Sequence, residues 1–182
     1  MIEGLFAPRR SARRVLAAGW GLDVAVLLAV LAYALQAILA ILVPGARPET
    51  AEGSLPLGAH LINLLRQLAV VGVEGFAVWG LGRLFGGTGS REGALILVAW
   101  HAFVTTLLAP FFLFGQASLR EGDEEALPLL LLVALALALA QSIWVLAAYA
   151  TELHGFRNPW GVVGVMVAVM MLLSTIVVSL LA

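Results

Sequence analysis

Residues 127–150 read LPLLLLVALALALAQSIWVLAAYA, twenty-four positions without one charged side chain. At about 1.5 Å per residue such a helix is about 36 Å long, enough to cross a hydrocarbon core of about 30 Å. In that core no water is available to the amides, so a helix that closes its own hydrogen bonds is the economical backbone. The stretch reads as a transmembrane helix.

Working outward, four more apolar stretches repeat the pattern, at about 22–43, 57–82, 93–115 and 161–182. Pro44-Gly45, Ser54 to Pro56, Gly86-Gly87, Gly122 and Asn158-Pro159 punctuate the gaps, where Gly and Pro end helices. Of the 182 residues 62% are hydrophobic and 12% charged, and mean hydropathy is +1.05, whereas a soluble domain carries about 25% charge. Five spans take up about 110 positions, and the connections left are too short for a nucleotide-hydrolysing module, a DNA-binding head or any other soluble domain. The expected fold is all-α, an integral membrane bundle of five transmembrane helices over 22–182 preceded by a short amphipathic interfacial helix within 1–21. The first span, longer than the 7–15 residues typical of a signal-peptide core, stays in the mature protein.

Charge sets the expected orientation. All ten basic residues are arginine, which together with abundant Ala, Leu and Gly suggests a GC-rich bacterial genome. Arg9, Arg10, Arg13 and Arg14 precede the first span, Arg83 and Arg91 flank the second connection and Arg157 lies in the fourth. The other two connections carry Arg47 and Arg120 among Glu49, Glu52, Glu121, Asp123, Glu124 and Glu125. The positive-inside rule therefore puts the N-terminus in the cytoplasm and the C-terminus in the periplasm, across a bacterial inner membrane. No cysteine is present to carry a disulfide or a thiolate metal site.

The arm from Pro8 to Trp20 sets Arg9, Arg10, Arg13 and Arg14 on one arc of a helical wheel and Ala12, Val15, Leu16 and Gly19 on the other. Such a helix is expected in the interface, where each arginine near anionic headgroups contributes about 1 kcal/mol.

The second span is unusual in carrying His60, Asn63, Arg66, Gln67 and Glu74. At about 100° per residue His60, Asn63, Gln67 and Glu74 share an arc of about 60°. An ionised Glu74 about 15 Å from the inner end is costly unless paired or protonated. If the second and third spans form a hairpin about Gly87 and Thr88, His101 lies at the depth of Glu74, and Gln141 of the fourth span is at a similar level. The expected intramembrane polar cluster is therefore Glu74, His101 and Gln141, with Asn63, Arg66 and Gln67 along the same span. It serves as interhelical hydrogen bonding that fixes register, or as a proton or solute path. The glycine-rich connection 86–92 is no phosphate-binding loop, because the chain has no lysine and no strand precedes it. No HExxH or GxSxG pattern occurs, and His60, His101 and His154 fall too far apart to share a metal. Neither an enzyme, a metal nor a cofactor is expected.

A basic N-terminal helix beginning at a proline, five spans, GGTGSREGALILVAW between the second and third, and TELHGF between the fourth and fifth together resemble the Yip1 domain family. The closest matches are Gly86, Gly87, Gly89, Ser90 and Glu92 in one loop, and Glu152, His154, Gly155 and Phe156 in the other. The resemblance implies five spans and a cytoplasmic N-terminus. Eukaryotic relatives associate with small Rab GTPases and vesicle traffic, but their DLYGP segment is absent here. On this reading the chain is a non-enzymatic membrane scaffold or interaction protein. Its cytoplasmic face would be the arginine helix and two partner-docking loops, and its partners anionic lipid headgroups and another membrane protein or itself, not nucleic acid. The alternative is a small proton-coupled permease using Glu74 and His101.

Overall fold

The computed structural model describes residues 1–42, 57–113 and 129–181. Every regular element among them is helical: α1 (Ile2–Phe6), α2 (Pro8–Ala17), α3 (Leu22–Leu42), α4 (Leu57–Leu84), α5 (Arg91–Thr105), α6 (Leu129–His154) and α7 (Pro159–Leu181). A 3₁₀ turn over Thr106–Leu108 prolongs α5. The punctuation at Pro44-Gly45, at Ser54 to Pro56 and at Gly122, and the charged residues of those two connections, lie outside the described residues. Among the described residues, four stretches are long and apolar enough to cross a membrane: Leu22–Leu42, Leu57–Leu84, Arg91–Leu113 and Leu131–His154.

Helix ends follow from local chemistry. α4 stops where Gly86 adopts a left-handed φ of 80°, open to glycine at no steric cost. Gly87 N–H then reaches back to the Gly82 carbonyl (2.8 Å) and Gly86 N–H to that of Arg83 (3.1 Å), the paired closure of a Schellman motif. α6 ends the same way, with Gly155 at φ 72° and Phe156 N–H on the Thr151 carbonyl (3.0 Å). α5 starts at Arg91 because the Ser90 hydroxyl accepts from Gly93 N–H (3.0 Å). α7 starts at Pro159, where the Asn158 side chain accepts from Trp160 N–H (3.0 Å). One boundary differs from the sequence reading. TELH was placed in a loop, yet Thr151 to His154 form the last turn of α6; the Schellman closure needs Thr151 helical, so the glycine, not the polar run, ends the helix.

α5 is the centre of the bundle, packed on α3 and α4 on one side and on α6 and the arm on the other. Its Ala94, Leu97, Val98, Ala99 and Val104 are buried with Ala29, Val145 and Tyr149. α7 packs chiefly on α6. Between α4, α6 and α7 runs an apolar groove of about 700 Å³.

The arm departs most from expectation. Leu16 lies beside Gly93, and Gly4 beside Val104, while Trp100 Nε1 donates to Ser11 Oγ (2.9 Å). The arm thus runs antiparallel to α5 from Gly93 to Val104, about 16 Å of helix, instead of lying flat across the bundle end. Leu5, Ala12 and Val15 bury their side chains in the core. The apolar face that the sequence reading gave to lipid is covered by protein.

Candidate functional site

The short connections after α4 and α6 lie at the same end of the bundle and meet at His154. Gly89 N–H donates to His154 Nδ1 (3.2 Å), so that nitrogen is unprotonated, and Nε2 faces the Val78 carbonyl (3.1 Å) and carries the proton. Both ring nitrogens are satisfied in the neutral form. The imidazole fits because three neighbours have no side chain: a β-carbon at Gly82 or Gly87 would fall on the ring, and one at Gly89 would strike Leu153 and crowd the ring. Phe156 stacks over it at 5.5 Å, and Thr88 N–H approaches the His154 carbonyl (3.4 Å).

Two residues earlier on α6, Glu152 receives the arm. Arg9 Nε donates to one carboxylate oxygen, and Arg13 donates through Nε to the other (2.7 Å) and through Nη2 to the first (3.2 Å). The hydrogen bond and charge of Glu152 raise the Arg13 pKa above its already high value. Further in, Gln141 Nε2 donates to the Leu5 carbonyl (2.6 Å) and Tyr149 Oη to that of Gly4 (3.4 Å). α6 therefore holds the arm at both ends.

The chain is a multi-pass membrane protein whose two motif-bearing helix ends close on each other, and a Yip1 domain model matches residues 2–180. It belongs to the Yip1 domain family. No curated protein and no solved structure matches it.

The glycines singled out for their likeness to Yip1 domains now have separate tasks. Gly86 turns the chain, while Gly87 and Gly89 make room for His154. Ser90 caps α5, and Glu92 is exposed in its first turn. Glu152 and His154, read as docking-loop residues, are turned inward. Glu152 is taken by Arg9 and Arg13, and His154 is 3% exposed, so neither side chain is free for a docking partner.

The membrane-surface arginines divide in the same way. Arg9 and Arg13 serve Glu152, Arg14 pairs with Glu3, and Arg10 is exposed without an ion-pair partner among the described residues. Arg91 lies over the Trp79 ring at 4.6 Å.

The expected polar cluster does not form. His101 turns to α6, where Nε2 meets the Ser142 carbonyl (3.1 Å) and hydroxyl (3.2 Å). Gln141 turns to Leu5. Glu74 lines the groove toward α7, with no hydrogen bond or ion pair to a described residue. Depth matching left rotation open, and the buried arc of α4 is set by Val71, Gly75 and Gly82, which turns Glu74 away from α5. His60 accepts or donates at Nδ1 with Tyr33 Oη (3.0 Å). Asn63 and Arg66 are exposed and Gln67 half-buried. Sequence reading missed Ser11, Trp100, Tyr149 and Gly82. Ser11 offered a signal, since it lies one turn before Val15 on the arm's apolar face.

Proposed function

We propose that this Yip1-family chain is a non-enzymatic scaffold of the bacterial inner membrane. In this reading α7 is the fifth span, the N-terminus is cytoplasmic and the C-terminus periplasmic. The observation that carries it is the convergence at one bundle end of the arm and both motif-bearing connections, locked by Glu152 and His154. A fixed surface of this kind suits docking. Nothing at the junction presents a nucleophile or an unpaired acid–base group beside a cleft, and the separation of Glu74 from His101 removes the support for a permease.

The outward face of the junction includes Arg10, Arg83, Arg91 and Arg157, all exposed, which suits anionic headgroups and an acidic segment of a membrane partner. Because Arg9, Arg13 and Arg14 are engaged internally, Arg10 contributes most of the arm's headgroup attraction, about 1 kcal/mol and not four times that. In nanodiscs of mixed zwitterionic and anionic lipid, Arg10→Gln should lower anionic-lipid enrichment about fivefold at low salt. Equal enrichment with and without Arg10 refutes the headgroup contact. A stoichiometric membrane partner retained in mild detergent supports the scaffold, whereas a solitary protein conducting ions in liposomes overturns it.

A further inference from the structure

The groove between α4, α6 and α7 arises from how α7 packs. α7 lies on α6 and stands off α4, which leaves a space of about 700 Å³ between them, within the range of about 300–1,000 Å³ usual for small-molecule sites. Ala77 and Leu81 of α4, Ala150 of α6 and Val162 and Val165 of α7 wall it. Apolar atoms with no neighbour on one side forfeit dispersion contacts, so this lining favours an apolar occupant.

Dimensions select among apolar occupants. The lining runs along α4 from Val73 to Phe85 and along α7 from Asn158, its N-cap, to Val169, about 17 Å of helix on either side. Spread over that length, 700 Å³ gives a section of about 40 Å², whereas a helix about 10–12 Å across takes about 80–110 Å². A transmembrane helix, from a partner or from a second copy, is too wide. A lipid tail is not, and the length agrees with it, since one leaflet of hydrocarbon is about 15 Å deep, half of a core of about 30 Å. The groove also starts where a leaflet starts. Its mouth, at Phe85, Phe156 and Asn158, lies at the junction end of the bundle. Trp160 stands at the same level, 66% exposed and packed on Trp144 at 4.8 Å, and tryptophans of this kind mark the headgroup boundary. Glu74 lines the other end, about 16 Å further in.

We propose that a phospholipid of the leaflet on the junction side binds here, an acyl chain filling the groove and the phosphate lying at the mouth between Arg83 and Arg157. Both arginines border the lining, Arg83 next to Gly82 and Arg157 between Phe156 and Asn158. Both are exposed, and neither has an ion-pair partner among the described residues. Arg83 makes one long contact, Nη1 to the Gly87 carbonyl (3.4 Å), which leaves most of its fork for phosphate oxygens. Asn158 adds a donor, because its Oδ1 is taken by Trp160 N–H and its Nδ2 is left over. The bound tail supplies the contact between α4 and α7 that the chain itself lacks. Glu74 gains nothing from the end of a hydrocarbon tail, so it limits the affinity that the rest of the lining provides.

This deepens the headgroup contact of the scaffold and rests on that reading for which leaflet supplies the lipid. Its test is made in detergent, where neither orientation nor Arg10 enters, so either can fail alone. The full chain in mild detergent, incubated with excess phosphatidylglycerol, should retain one molecule per chain in native mass spectrometry, and about tenfold less of a diacylglycerol with the same tails. Val165→Trp, which fills the groove, should lower retention at least about fivefold, while Leu65→Trp, at an exposed position of α4 outside the groove, should not. Arg83→Gln together with Arg157→Gln should remove most of the preference for phosphatidylglycerol over diacylglycerol. Glu74→Leu, which carries the apolar lining to the inner end, should raise retention about threefold. Retention unchanged by Val165→Trp, equal retention of the two lipids by the wild type, or a preference that survives loss of both arginines overturns the proposal. So does loss of lipid in Glu74→Leu, which would mean an occupant that needs the carboxyl. Should Val165→Trp fail to fold, the exposed arginine pair decides.

Discussion

At the scale of single residues the loop-end junction is a problem of space. An imidazole with both nitrogens bonded, one to Gly89 N–H and one to the Val78 carbonyl, cannot swing aside. Any atom added at Gly82 must therefore displace a fixed ring. In an ordinary helix position Gly→Ala gains about 1 kcal/mol by lowering backbone entropy cost. Overpacking costs about 1–3 kcal/mol, so at Gly82 the sign reverses. Gly82→Ala should melt below the wild type in detergent, while Gly80→Ala, with nothing within 4 Å of the new methyl, should melt at or above it. A Gly82→Ala variant as stable as Gly80→Ala would mean that His154 is not held where the hydrogen bonds place it. The sequence displayed the neighbouring glycines as a turn, and Gly86 is one. It did not display Gly82 as part of the same device, because a glycine inside an apolar helix looks alike whether it lies under a side chain or faces lipid.

At the scale of elements the arm shows what helical periodicity can and cannot decide. The wheel from Pro8 to Ala17 separates arginines from small apolar residues, and that amphipathic helix exists. Periodicity says that one face seeks an apolar surface, but lipid and the groove between α5 and α6 are equally apolar. The choice is made by polar groups distant in sequence: Glu152 for Arg9 and Arg13, Gln141 and Tyr149 for the Leu5 and Gly4 carbonyls, Ser11 for Trp100. Residues more than 85 positions apart in the chain are invisible to a local wheel. If these contacts hold the arm, Glu152→Gln should loosen it without unfolding the spans. Amide exchange over Ser11 to Val15 should accelerate about fivefold, as expected for losing a partly exposed ion pair. Exchange in α5 should not change. Unaltered exchange in the arm would show that its apolar face alone keeps it docked. The spans themselves were legible, since twenty or more apolar residues in a row need no tertiary information. Their rotations were not, which is why Glu74 and His101 matched in depth and yet point to different neighbours.

At the scale of the whole molecule, charge and architecture give the same partition. Arg9, Arg10, Arg13 and Arg14 sit on α2, Arg83 in the last turn of α4, Arg91 at the start of α5 and Arg157 between α6 and α7. The contacts of Glu152 and His154 gather these helix ends into one junction. Seven of the ten arginines thus share one end of the bundle. The two connections at the opposite ends of these helices carry Arg47 and Arg120 beside six acidic residues. A cluster of this size cannot be split across the bilayer without tearing the junction apart, so the proposed insertion keeps all seven on one side, which the positive-inside rule predicts to be the cytoplasm. The absence of cysteine allows a direct check in intact cells. A cysteine replacing Thr88 or Arg157, both exposed, should react with a membrane-impermeant maleimide only after the inner membrane is opened. One replacing Glu49 or Asp123 should react once the outer barrier is permeable. Labelling at Thr88 before the inner membrane is breached, with none at Asp123, would reverse the orientation and put the arginine-rich junction outside the cytoplasm. Mixed labelling at both positions would indicate dual insertion, with the seven arginines no longer deciding the orientation.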